Sequence, residues 1–155
     1  MSVRGSRWLL VAAGLLVVVG LPLAGKWLRH SSAPACALDG ARIDPVYRVR
    51  VVDAEGRDQV FCCIHCAALW CSQQSERPRA VFVTDEVSHQ EIDAGSAWFV
   101  RSFVVTVPHT GNRIHAFRDR ADAERHADAA HGLLLSDGEK PFGPGAEPAQ
   151  AVAGE

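Results

Sequence analysis

The residues best suited to chemistry are the five cysteines, four of which fall within ten positions of one another. Cys62, Cys63, Cys66 and Cys71 form that group, and Cys36 lies upstream. Packing alone does not explain the crowding, because a core that needs small apolar side chains can use alanine or valine. Several thiols and an imidazole at such short spacing indicate metal binding or redox chemistry.

The spacing Cys62-x3-Cys66 places two thiols on one face of a helix, with their Cβ atoms about 5–6 Å apart. Both can then bind one soft ion, and Cys36 can complete the site from a separate loop. A helix that begins at Cys62 should also lower the pKa of that thiol. Cys63 points to another face and is a weaker candidate ligand, and His65 is a candidate fourth ligand.

Two ions fit such a site, and two other roles for the thiols remain open. All-sulfur trigonal ligation favours Cu(I), whereas four sulfur and nitrogen ligands favour Zn(II). In an oxidising compartment the same cysteines can form structural disulfides, or they can be buried and inert. Cys71 is out of phase with the helical pair, so we interpret it as a core or spare thiol.

The elements that position these residues follow a repeated order. Residues 47–52 and 58–61 alternate like strands, residues 62–72 have a helical pattern, and residues 80–84 are rich in β-branched residues. Residues 97–107 and 113–117 predict two more strands, before a helix from Asp119 through His131 and a last strand at 133–136. Gly132 is predicted to be the left-handed residue after that helix. The fold class is therefore α+β, with two ββαβ units.

Aromatic and histidine side chains outside the cysteine segment are expected to be structural. We assign Trp70, Trp98, Phe99 and Phe103 to the core. The histidines of the second half show no ligand spacing and are expected at the surface or near a helix end. Alanine at His89, His109 and His115 together should therefore leave tight metal binding unchanged.

The N-terminal segment is predicted to be a membrane anchor. Residues 8–25 carry no charge, and eighteen helical residues span about 27 Å, close to the thickness of the hydrocarbon core. A cleaved signal peptide is the alternative, but proline or leucine stands where a small residue should precede the cut. We expect a single span in the cytoplasmic membrane, with the soluble domain outside, in the periplasm.

The chain accordingly divides into five predicted parts: anchor 1–29, linker 30–35, cysteine-rich metal-binding unit 36–88, second ββαβ unit 89–137 and disordered tail 138–155. The formal net charge is −2, which gives no electrostatic basis for binding nucleic acid. The sequence carries no phosphate loop, nucleophile elbow or paired-carboxylate motif, so we do not expect an enzyme.

A family resemblance is visible over residues 81–135. The runs 83–85, 91–100 and 116–124, followed by His131-Gly132, resemble the NosL-type accessory proteins of nitrous-oxide reductase. The resemblance implies a membrane-attached, extracytoplasmic copper chaperone of two ββαβ units, which passes its ion to a partner such as nitrous-oxide reductase. Where that family carries Cys-x-Met, this chain has Cys36-Ala37-Leu38, and its only methionine is Met1.

The cysteines themselves resemble a different pattern. Cys36, then Cys62-x3-Cys66 after a phenylalanine, is similar to the heavy-metal-binding TRASH segment, with 25 residues between Cys36 and Cys62. The function that fits both resemblances is a membrane-anchored copper chaperone. A thiol–disulfide module using Cys63-x2-Cys66 and a structural domain stapled by zinc or disulfides are the alternatives.

Overall fold

The computed structural model of the protein describes residues 34–143. These residues form seven β-strands and two α-helices: β1 (Val49–Val52), β2 (Asp58–Phe61), α1 (Ile64–Ser72), β3 (Ala80–Thr84), β4 (Glu91–Asp93), β5 (Trp98–Arg101), β6 (Ile114–Phe117), α2 (Arg120–Ala129) and β7 (Leu133–Leu134). The predicted α+β class is confirmed for this part of the chain. Each half contains one sheet and one helix. The first sheet has an additional strand, β4, which the sequence pattern did not predict.

The first sheet is antiparallel, with the strand order β2-β1-β3-β4. Its alternation places valines of β1 and β3 in the core: Val49, Val51, Val81 and Val83. The opposite face carries Arg50, which forms ion pairs with Asp58 and Glu91 and lies 4.1 Å above the ring of Phe82. One face is thus apolar and the other polar, as expected for an antiparallel sheet with one side facing water.

The helix α1 begins two residues later than predicted. Cys63 is its N-cap, with an extended backbone (φ −165°), and the Cys63 thiol accepts a hydrogen bond from the Cys66 amide. Cys62 therefore precedes the helix instead of opening it, and the expectation that Cys62 and Cys66 share a helix face was wrong. The reason is local: β2 ends at Phe61, the chain bends at Cys62 and Cys63, and the backbone becomes helical only from Ile64.

The second sheet is antiparallel, with the order β6-β5-β7, and it is covered on both faces. Phe99 and Ala116 join the main core on one face, together with residues of the first sheet and α1. Val100 and Phe117 pack against Ala123 of α2 on the other. The turn after β3 also contacts the second sheet, since the Glu86 amide donates a hydrogen bond to the Ala116 carbonyl of β6 (2.9 Å).

The strand predicted at 97–107 stops at Arg101. Beyond it the Ser102 hydroxyl accepts a hydrogen bond from the Val104 amide, and the chain becomes a loop that returns at the Val107–Asn112 bridge. Phe103, assigned to the core from sequence, lies in this loop and is 72% exposed. That assignment was wrong because it assumed a strand that continued its alternation past residue 101.

The helix α2 also ends earlier than predicted, and the left-handed residue after it is His131 (φ +49°) instead of Gly132. Gly132 has a different role: it lets its own backbone approach β5 closely. A Cβ atom there would lie 2.8 Å from Cγ1 of Val100 and 3.0 Å from the Arg101 carbonyl oxygen. The absent side chain lets the segment after α2 pass directly beside β5.

Within residues 34–143 no helix is long and apolar enough to span a membrane, and the predicted anchor at 8–25 lies outside the described residues. Most of the segment predicted as a disordered tail lies outside them too. Phe142, near the start of that segment, packs edge-on against Phe99, with ring centroids 6.3 Å apart.

The approach at Gly132 makes a specific prediction about stability. Gly132→Ala should lower the free energy of unfolding by about 1–3 kcal/mol, the usual cost of forcing an extra methyl group into a filled site. Gly138→Ala is the matched control, because a Cβ there would meet nothing within 4 Å. Denaturant titration measures both, and equal stability of the two variants would contradict this account of Gly132.

Candidate metal centre

The loop that carries Cys36 is held beside the end of β2 by backbone hydrogen bonds. The Ala37 amide donates to the Val60 carbonyl (2.8 Å), and the Cys36 amide donates to the Ala41 carbonyl (2.9 Å). Gly40 closes the loop with a positive φ of 72°, a conformation that glycine adopts without strain. The Cys36 thiol is therefore buried next to the start of α1 although it is distant in sequence.

Three of the five residues predicted to bind metal meet at this point. Cys36, Cys62 and Cys66 are buried, and together with Asp39 each offers a ligand atom within 4.8 Å of all the others. The sulfur atoms of Cys62 and Cys66 lie 3.5 Å apart, although Cys62 precedes the helix that carries Cys66. All five cysteines of the chain are free thiols.

Asp39 is the member of this cluster that the sequence analysis missed. Its Oδ2 atom accepts from the Cys66 thiol at 3.5 Å and from the Cys62 thiol at 3.9 Å. Burial raises the pKa of the Asp39 carboxyl, but hydrogen bonds from the Ala41 amide and from cysteine and histidine side chains outweigh it and leave the pKa below its usual value. The Asp39-Gly40 turn three residues after Cys36 was the available signal.

His109 reaches the same carboxylate from the second half of the chain. Its Nε2 atom lies 3.3 Å from Oδ2 of Asp39 and 3.9 Å from the Cys62 sulfur, and the side chain is 49% exposed. The loop is fixed against α1 by Asn112, whose side-chain oxygen accepts a hydrogen bond from the His65 amide. The expectation that the histidines of the second half lie away from the metal site was wrong for His109. No local pattern marks this residue, since its position depends on the contact between the halves.

The two weaker candidates, Cys63 and His65, lie outside the group of four ligand atoms. The Cys63 sulfur is 3.9 Å from that of Cys62 and 3.4 Å from the Thr110 hydroxyl. A hydrogen bond from Cys66, with others from Thr110 and Cys62, lowers the pKa of Cys63 to about 5 despite burial. A helix N-terminus stabilises a thiolate in this way.

The thiols of Cys62 and Cys66 are held in their protonated form when no ion is bound. Burial, and then the charge of Cys63, raises the pKa of Cys62. The expected lowering of this pKa was wrong, because the helix cap is Cys63 and not Cys62. The hydrogen bond with Cys63, followed by burial, raises the pKa of Cys66. A cation bound to these sulfurs must therefore displace protons, so its affinity rises with pH. Cys71 stands apart, half-buried, with its pKa raised by burial to about 11.

Two layers of sheet and helix with a buried cluster of three thiols and a carboxylate define an α+β domain with a potential metal site. Comparison with solved structures finds this fold in the copper chaperone NosL from Shewanella denitrificans, with a TM-score of 0.60 and 22% identity over 70% of this chain and 90% of that one. The predicted resemblance to the NosL-type family is confirmed as a likeness of fold. No family profile matches the chain, and no curated protein matches it.

The position of His109 generates a prediction that separates it from the other histidines. His109→Ala should weaken metal binding by about 10–100-fold, as loss of a hydrogen-bond partner of a ligand group commonly does. His89→Ala, another exposed histidine in a turn of the described chain, should leave affinity unchanged. A chelator competition assay measures both, and equal affinity of the two variants would place His109 outside the site.

Proposed function

We propose that this protein is a metal chaperone that binds a soft ion, with Cu(I) favoured, and passes it to a partner protein. The observation that carries the proposal is the convergence of Cys36, Cys62, Cys66 and Asp39 on one point, with all their ligand atoms within 4.8 Å. The shared fold with the copper chaperone NosL supports the same interpretation. The chemistry is ligand exchange instead of catalytic turnover.

The three thiols are the natural ligands for Cu(I), and Asp39 has a different part. Thiolates select Cu(I), whereas carboxylates suit harder ions. In the metal-free protein the Asp39 oxygen accepts hydrogen bonds from the Cys62 and Cys66 thiols, and it thereby holds their sulfurs close together. With Zn(II) the same oxygen is able to complete a four-coordinate set, so the carboxylate distinguishes the two ions.

Delivery requires that an incoming ligand reach the bound ion, and the outer side of the cluster provides access. The three cysteines are buried, but Asp39 and His109 remain partly exposed, with 30% and 49% of their side-chain surface accessible. A partner thiol or imidazole entering here can replace one ligand at a time. We propose a copper enzyme as the receiver, such as nitrous-oxide reductase, and a periplasmic domain anchored by residues 8–25.

A second function is favoured by one distance. The 3.5 Å between the sulfurs of Cys62 and Cys66 is short enough for a modest movement to form a disulfide. The protein would then act as a thiol–disulfide module that keeps a partner's cysteines reduced. Stoichiometric Cu(I) in protein purified anaerobically under reducing conditions distinguishes the chaperone from this alternative.

The cysteine assignment predicts unequal effects of single cysteine-to-serine substitutions. Serine at Cys36, Cys62 or Cys66 should weaken Cu(I) binding by at least about tenfold, because loss of a ligand costs more than loss of an outer partner. Cys71→Ser should have little effect. Competition with a Cu(I) chelator under anaerobic conditions gives the affinities. Equal losses at all five cysteines would indicate nonspecific binding to thiols and would exclude the proposed site.

The role given to Asp39 predicts a difference between ions. Asp39→Asn should reduce Zn(II) affinity by about tenfold or more, since it replaces a charged oxygen ligand with a neutral amide. Cu(I) affinity should change less than Zn(II) affinity. Parallel titrations of the wild type and the variant with both ions measure this, and a larger loss for Cu(I) would make Asp39 a ligand of the soft ion itself.

A further inference from the structure

A second group of metal-binding side chains lies in the other half of the chain, apart from the cysteines. The ring of His115, on β6, packs against the ring of His126, on α2, with a centroid distance of 4.3 Å and a tilt of 45° between the rings. Phe117 lies 5.1 Å from His126. The side chain of Glu86 reaches His115 from the turn after β3, and the His115 side chain is completely buried.

The hydrogen bonds of His115 determine which of its nitrogens carries a proton. Its Nε2 atom lies 3.3 Å from the Val104 carbonyl oxygen, which can only accept, and 3.0 Å from the Ser102 hydroxyl. The proton of the neutral ring is therefore on Nε2, and Nδ1 presents a lone pair. An imidazole that ligates a metal commonly has its second nitrogen fixed by a carbonyl in this way.

That lone pair faces a carboxylate. Nδ1 of His115 lies 3.3 Å from Oε1 of Glu86, yet it makes no hydrogen bond within the described residues, and neither does the buried Nε2 of His126. Buried polar atoms without partners are costly. A lone pair beside a carboxylate oxygen adds a repulsion that a cation removes. Two such imidazole nitrogens and a carboxylate are a ligand set for zinc and similar divalent ions.

We propose that His115, His126 and Glu86 form a second metal site, which takes a divalent ion of the Zn(II) type. Among the described residues only the cysteine cluster already brings three ligand atoms within 4.8 Å of one another, so closure of this site needs a side-chain rotation. His126 is partly exposed and Glu86 is 24% exposed, so the rotation is assigned to these two side chains, while β6 holds the buried His115 in place. The thiolates of the cysteine cluster would thus bind the soft ion, and the nitrogen and oxygen ligands of the second site would bind the harder ion.

Cobalt(II) is a suitable probe because the two sites give different spectra. Cobalt bound to thiolates shows sulfur-to-metal charge-transfer absorption, which nitrogen and oxygen ligands do not produce. The full-length protein in detergent is titrated with Co(II) and with Zn(II), and bound metal is counted per chain. The wild type is compared with Glu86→Gln and His126→Gln, and His89→Asn is the control that removes an imidazole from the same turn region as Glu86.

We expect the wild type to bind one ion that adds no charge-transfer absorption. Glu86→Gln and His126→Gln should each weaken the binding of that ion by at least about tenfold, while any charge-transfer bands stay unchanged. His89→Asn should bind it as the wild type does. Thermal unfolding without metal verifies that each variant is folded, and Glu86→Gln keeps the shape of the residue. Binding by both variants equal to that of the wild type would overturn the proposal. The proposal would also be overturned if every ion bound by the wild type produced the charge-transfer absorption. A proton would then be the cation between His115 and Glu86.

Discussion

The geometry of the cysteine cluster depends on one backbone hydrogen bond, from the Ala37 amide to the Val60 carbonyl (2.8 Å). Cys36 and Cys62 are separated by 25 residues, so chain connectivity alone does not keep their thiols together. The bond fastens the loop of Cys36 to the same strand that leads into Cys62. A single strand therefore aligns sulfurs from both sides of the site, and the Gly40 turn folds the Asp39 carboxylate back onto them.

The beginning of α1 makes the second contribution, because it gives neighbouring cysteines different electrostatic roles. Cys63 caps the helix and accepts a hydrogen bond from the Cys66 amide, which favours its thiolate. Cys62, one residue earlier, precedes the helix and keeps its proton until a cation arrives. Two adjacent residues of the same type thus differ in ionisation because only one of them occupies the helix cap.

Sequence patterns were informative where the periodicity was local. The valines of β1 and β3 and the short helix that carries Cys66 follow directly from alternation and spacing. Cys62 and Cys66 were recognisable from their crowding, and Cys36 from its place upstream in the TRASH-like pattern. The errors arose where tertiary contacts decide. The side chain of Ser102 ends β5 early and exposes Phe103, and close packing against Val100 assigns Gly132 a different role from the one its position suggests. His109 reaches Asp39 only because Asn112 fixes its loop to α1.

The two halves have the same ββαβ order, and their buried apolar residues form one common hydrophobic core. Phe99 and Ala116 of the second sheet lie in the same buried cluster as Val51 and Phe61 of the first. If the repeated order arose by duplication, the two copies no longer have separate hydrophobic cores. Each unit now completes its buried interior with apolar side chains of the other. Neither half is then an exchangeable module, and a chimera that imports one ββαβ unit from another protein would have to import the matching interior surface with it.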